Sequence, residues 1–185
     1  MRKAKSAFSV VETLFALMIF LALMGILVAA VIQSKVIFQA TDINTTLAAE
    51  SRQILERISS ELINSNRAQV TITENSPVAG TDKISFHLPK YISGVPVLTA
   101  AGSIDWDPDL ISISLSPTVA GQLVRTSNSG SQVIGNGVNN ISFFDHDLDN
   151  ALYLDEIRMV LNLRKSDTDT RVYNMSTSSV IKLRN

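Results

Sequence analysis

The sequence predicts an α+β protein: a long N-terminal helix, its first half transmembrane, packed on an antiparallel β-sheet head. Three observations carry that expectation. Residues 8–32 form an apolar run of 25 residues whose one charge is Glu12. No proline precedes Pro77, and Gly25 is the one glycine before Gly80, so nothing forces a helix break between Phe8 and Asn66. Beyond Gln69, short alternating runs separated by Gly, Pro, Asn, Asp and Ser replace the helical pattern, which is the texture of strands and turns.

Taken in order, residues 1–7 (MRKAKSA) are a short basic leader. The run 8–32 is long enough to span a hydrocarbon core about 30 Å thick, which needs about 20 apolar residues as helix. It exceeds the roughly 7–15 residue apolar core of an ordinary signal peptide, which argues against cleavage after it, at Val28-Ala29-Ala30 for example. Its basic flank predicts a single pass with residues 1–7 in the cytoplasm and the head outside.

Residues 33–66 read as the amphipathic half of the same helix. Ile43, Leu47, Ile54, Leu55, Ile58 and Leu62 recur near helical spacing and form one apolar stripe. Arg52–Glu56 and Arg57–Glu61 are spaced to pair along the wetter side. The polar patch Thr41–Thr46 is a place where the helix could bend. Over residues 8–66 such a helix would be roughly 90 Å long. No small globule buries such a rod, so its first half belongs in lipid or against other copies.

The head, 67–185, should contain strands at Val70–Ile72, Lys83–Leu88, Leu110–Leu115, Gln122–Arg125, Asn140–Phe144, Ile157–Leu163 and Val180–Leu183, with Ser127–Asn140 as a surface loop. One sheet built from them must bury a face, and the stripe on residues 43–62 is its natural partner.

Composition narrows the function. Hydrophobic residues make up 45% of the chain, and the formal net charge is −1, so no strong field predicts a nucleic-acid partner. Losing residues 1–7 would remove Arg2, Lys3 and Lys5 and no acid, shifting the net charge to about −4. There is no cysteine, which excludes disulfides and thiolate-bound metals. The two histidines, His87 and His146, lack metal-ligand spacing. No Ser–His–Asp order, phosphate-binding glycine loop or carboxylate dyad is present. The chain is therefore expected not to be an enzyme.

The segment KSAFSVVETLFALMIFLALMGIL carries the function. A basic head and a small residue, Ala7, precede an aromatic that opens the apolar helix, and Glu12 follows at the fifth position counted from Phe8. A carboxylate in a membrane run costs several kcal/mol unless paired. Cleavage between Ala7 and Phe8 would create an α-amine able to pair with the Glu12 of a neighbouring copy, turning that cost into a drive toward association.

Phe8-Ser9-Val10-Val11-Glu12, in that order, resembles the cleavage motif of type IV prepilins and type II secretion pseudopilins. Ala7 stands where that family usually has glycine. The resemblance implies cleavage before Phe8 by a prepilin peptidase, N-methylation of Phe8, and Glu12 as assembly contact. It also implies a head on an inner-membrane anchor that later enters a pilus or pseudopilus. Other minor pilins or pseudopilins, the inner-membrane assembly platform, the peptidase and membrane lipid would be its partners. SRQILERISSELINSNRAQ, LISISL leading to GQLVRT, GNGVNNISFFDHDLDNAL and the ending VIKLRN are further similar to PilW/J-type minor pilins. On that resemblance the chain is a minor pilin or pseudopilin that starts or caps a filament in type IV pilus biogenesis or type II protein secretion. The tip-most pseudopilin of that family lacks this glutamate, so Glu12 implies a place below another subunit. The alternative is a single-pass anchored binding or sensor domain that never polymerises and keeps its basic head.

Asp145, Asp147, Asp149 and Glu156 occupy the first, third, fifth and twelfth positions of a calcium-loop pattern. Their flanks are strand-like, and Asn150 replaces the turn glycine. The expectation is a hairpin turn built from Asp and Asn and no cofactor, with a calcium-stabilised loop as the alternative. His87, opposite in facing to Phe86, reads as a surface or satisfied histidine. Trp106, between two aspartates, reads as a core or turn anchor, or as a contact for a partner subunit.

Overall fold

The structure is a computed structural model and describes residues 10–167 and 171–184. The leader residues, Ala7 and Phe8 among them, lie outside the described residues. The chain divides into two units, Met1–Ile43 and Asn44–Asn185, and one helix, α1 (Val10–Leu62), supplies residues to both.

In the first unit, every residue from Val10 to Lys35 is exposed. The helix is long and apolar enough, by length and composition, to cross a membrane, and none of its most apolar window is buried. The polar patch Thr41–Thr46 remains helical. Thr41 Oγ1 donates to Ile37 C=O at 2.9 Å, the back-bonding by which threonine is tolerated inside a helix.

In the second unit, α1 buries Leu47, Ser51, Ile54, Leu55, Ile58 and Leu62, a stripe at the helical repeat. Ile43 is only half-buried, so the buried stripe starts one turn later than its pattern suggested. The chain leaves α1 through a single 3-10 turn, Arg67–Gln69, capped by the Asn66 side chain, which accepts from Ala68 N–H.

Ten strands follow: β1 (Val70–Thr73), β2 (Lys83–Pro89), β3 (Tyr91–Ile92), β4 (Val95–Pro96), β5 (Trp106–Leu115), β6 (Leu123–Ser127), β7 (Gly130–Gly135), β8 (Val138–Phe144), β9 (Glu156–Ser166) and β10 (Val172–Lys182). They form two principal sheets rather than the single one expected. One is five-stranded in the order β1-β2-β5-β6-β7, the other three-stranded in the order β10-β9-β8, and β3-β4 is a separate small hairpin. All pairings are antiparallel. Each sheet turns an alternating apolar row inward, for example Ile111, Ile113 and Leu115 on β5 and Ile157, Met159, Leu161 and Leu163 on β9, as a period-two strand must. Asp82, just before β2, joins the sheets. Its N–H donates to Ile141 C=O at 2.9 Å, and its carboxylate accepts from Phe143 N–H at 3.1 Å.

Three local expectations need correction. Ser127–Asn140 is mostly strand: β7 turns back on β6 through Gly130, whose φ of 127° suits glycine, and β8 begins at Val138. β7 is largely exposed, so it carries no alternation to read. The C-terminal strand spans Val172–Lys182 rather than only its last residues; its centre, Ser176–Ser179, is all Ser and Thr, and it lies on a sheet edge. Finally, Arg57 and Glu61 do not pair along the helix. Glu61 takes Arg125 of β6, and Arg57 donates to Gln132 of β7 at 2.7 Å.

Candidate assembly surface

Glu12 lies in the first turn of α1, where a carboxylate also complements the partial positive charge of a helix N-terminus. Beside it, Thr13 Oγ1 donates to Val10 C=O at 2.8 Å. The side chains that follow are apolar around the whole helix circumference. Phe15 is 64% exposed and Ile26 67%. A helix that is apolar on every side is a buried or membrane helix, and each such Leu, Ile or Phe would gain roughly 1.5–3 kcal/mol on burial. Within unit one the nearest charge C-terminal to Glu12 is Lys35. Phe8, whose amine is expected to meet Glu12, lies outside the described residues.

The acidic turn is occupied by internal partners. Asp145 is buried; one oxygen pairs with Arg67 Nη2, and the other accepts from Asp147 N–H at 3.1 Å and Leu148 N–H at 3.2 Å. Asp149 pairs with Arg158 and accepts from Ala151 N–H at 3.0 Å. Glu156 accepts from Tyr153 N–H at 3.1 Å. Among the described residues no group of three or more acidic or histidine side chains is placed to hold a metal. The carboxylates nucleate the turn and receive arginines from outside it.

The remaining sequence candidates have ordinary partners. His87 Nδ1 lies 2.9 Å from Asp107 C=O, and His146 Nδ1 lies 2.6 Å from Leu152 C=O. Trp106 is half-buried at the start of β5, opposite Pro89.

Two features escaped the sequence. Arg125 Nε reaches both carboxylate oxygens of Glu61, at 3.0 and 2.8 Å, and clasps α1 to β6. A groove of about 500 Å³ runs between α1 and β10. Neither has a local signal, because each joins residues more than sixty positions apart.

Comparison of this chain with protein-family models, with curated proteins and with solved structures gives no match.

Proposed function

We propose that this chain is a type IV pilin-like subunit, a minor pilin or pseudopilin most similar to the PilW/J type, that helps start or cap a filament after cleavage between Ala7 and Phe8. The observation that carries the reading is the uncovered apolar surface of α1 with Glu12 as its one acid. Lipid covers such a surface before assembly, and the helices of other subunits cover it afterwards.

Once Ala7 is removed, the Phe8 amine is the natural partner for a carboxylate in an apolar setting. Residues 8 and 12 are about one helical turn apart, so a neighbour shifted by about one turn along the axis brings its amine level with Glu12. N-methylation leaves that amine cationic. The chain would sit in the inner membrane with its head outside the cytoplasm. It would meet the prepilin peptidase and assembly platform there, and then the other minor subunits.

The test is the N-terminus of the protein purified from its native host, read by mass spectrometry. A mature chain beginning at N-methylated Phe8 supports the proposal. An intact Met1–Ala7 leader sinks it in favour of an anchored domain that does not polymerise.

A further inference from the structure

We propose that Asn136 is a site of spontaneous deamidation and that its isoaspartyl product loosens the join between the two principal sheets. This goes beyond the filament reading and is independent of it, because every residue involved belongs to the second unit.

Asn136-Gly137 is the single Asn-Gly pair in the chain, and it forms the link between β7 and β8. Both residues are exposed. Among the described residues, neither the C=O of Asn136 nor the N–H of Gly137 takes a hydrogen bond, and the Asn136 side chain has no partner either. Most backbone amides of a folded chain are paired within it; this one is left to solvent. Gly137 has a φ of 69° and no Cβ to shield its nitrogen. The groups that follow are held: Gly137 C=O accepts from Arg164 N–H at 2.7 Å, and Val138 N–H donates to Gly121 C=O at 3.0 Å.

An unbonded, uncrowded main-chain nitrogen can attack the side-chain amide of the asparagine before it. Gly137 N gives its proton to a solvent base and bonds to Asn136 Cγ. The Cγ–Nδ2 bond breaks, and ammonia leaves with a proton from water, so that a five-membered succinimide remains. Water then opens the ring. Attack at Cγ breaks the new Cγ–N bond and gives aspartate. Attack at the main-chain carbonyl carbon breaks its bond to Gly137 N and gives isoaspartate, whose main chain runs through Cβ and Cγ. No oxidation or reduction takes place. Other asparagines lack the nucleophile, because the next N–H is already donated: Ser65 to Leu62 C=O, Ser76 to Thr81 C=O, and Ala151 to Asp149 Oδ1. After Asn128, the Ser129 N–H has no bond among the described residues, but serine carries the Cβ that glycine lacks.

Isoaspartate adds an atom to the main chain at a place with little slack. The residue before it, Gly135, lies directly against Ile54 of α1, and Val138 just beyond is buried. β7 and β8 belong to different sheets, so a longer link either shifts one sheet against the other or breaks the bond between Gly137 and Arg164. A close-packed interior does not absorb such a shift without losing contacts. Both products also place a carboxylate in the hollow of about 220 Å³ that Asn136 shares with Glu50, where like charges repel.

The test is to age the folded full-length protein in detergent micelles in warm, mildly alkaline buffer, and to map its peptides by mass spectrometry over time. Electron-transfer fragmentation separates isoaspartate from aspartate. We expect the mass gain of amide-to-acid exchange at Asn136 first, at least about tenfold faster than at Asn128, with isoaspartate among the products and with Asn64, Asn75 and Asn150 unchanged. Asn136→Ser removes the amide and no hydrogen bond, so the fresh variant should melt like the fresh wild type. After the same ageing, the wild type should melt lower and the variant should not. Asn136→Asp carries the new charge without the added main-chain atom and should melt above the aged wild type. The site is overturned if Asn136 stays intact, if Asn128 or Asn150 converts as fast, or if aspartate forms without isoaspartate. The loosening is overturned if converted protein melts like fresh protein, or if Asn136→Ser loses as much on ageing. None of these readouts involves the N-terminus, so their failure leaves the filament proposal untouched.

Discussion

Gly135 of β7 lies directly against Ile54 of α1, and a single methyl group there tests the packing directly. A Cβ at this position would lie 2.5 Å from Ile54 Cδ1, 2.9 Å from Ile54 Cγ1 and 3.7 Å from Val138 Cγ2. Carbon atoms at optimal separation are about 3.5–4.0 Å apart, so Ile54 must retreat by about 1 Å. Ile54 is only 4% exposed, and Cγ1 is not a free end, so rotation alone does not relieve the clash. Overpacking of this kind costs about 1–3 kcal/mol. Loss of glycine entropy in the unfolded chain returns about 0.4–1 kcal/mol. Gly135→Ala should therefore destabilise the protein by about 1–2 kcal/mol on balance. Ile54→Val alone should cost about 0.5–1.5 kcal/mol, but it deletes Cδ1, the nearer of the two clashing atoms, and leaves Cγ1 as a methyl end with more room to shift. In the double variant the two effects should not add, and the coupling should be about 1 kcal/mol in the stabilising direction. Thermal and denaturant melts of the four proteins in detergent measure this, at about 2–5 °C per kcal/mol for a head of this size. Additive effects, or a stabilised Gly135→Ala, would show that α1 does not seat on β7 through Ile54.

Four further outcomes are expected. Ile58→Asp places a carboxylate where the side chain is 1% exposed, and without a partner it should abolish cooperative melting of the head. Arg125→Met removes the Nε–H shared between both oxygens of Glu61 and, at this half-buried site, should cost about 1–2 kcal/mol in a denaturant melt. Millimolar calcium should leave the melting temperature unchanged, because Asp145 and Asp149 are already held by Arg67 and Arg158; a rise that vanishes in Asp147→Ala would make the turn a metal loop. Under the filament reading, Glu12→Ala should be cleaved normally at Ala7–Phe8 yet lose crosslinks to neighbouring subunits in the native host, and unchanged crosslinking would remove Glu12 from the contact.

The long helix was legible because its evidence is local. An apolar run without proline and a stripe at helical spacing need no knowledge of distant residues, and Leu47, Ile54, Leu55, Ile58 and Leu62 are buried as that stripe requires. β2, the end of β5, and β9 were legible for the same reason, since their apolar residues alternate. β7 and most of β10 were not. Edge strands have little apolar alternation to display, and Gln132, Ser176 and Ser178 read equally well as loop. The acidic turn was half legible: its Asp and Asn residues announced a turn, but the arginines that occupy it come from Arg67 and Arg158.

Chain-local pattern thus settled the secondary structure of the helix and of the buried strands, and it isolated Glu12 in an apolar setting. Which strands pair, and that they form two sheets joined through Asp82, was settled only in three dimensions. So were the partner of Glu61, the closeness of Gly135 to Ile54, and the open edge of β10. The physical reason is range. Hydrophobic periodicity is set by the backbone repeat within one element. Strand partners and helix–sheet contacts depend on which distant surfaces exclude water together, and many pairings of similar strands satisfy the same local pattern.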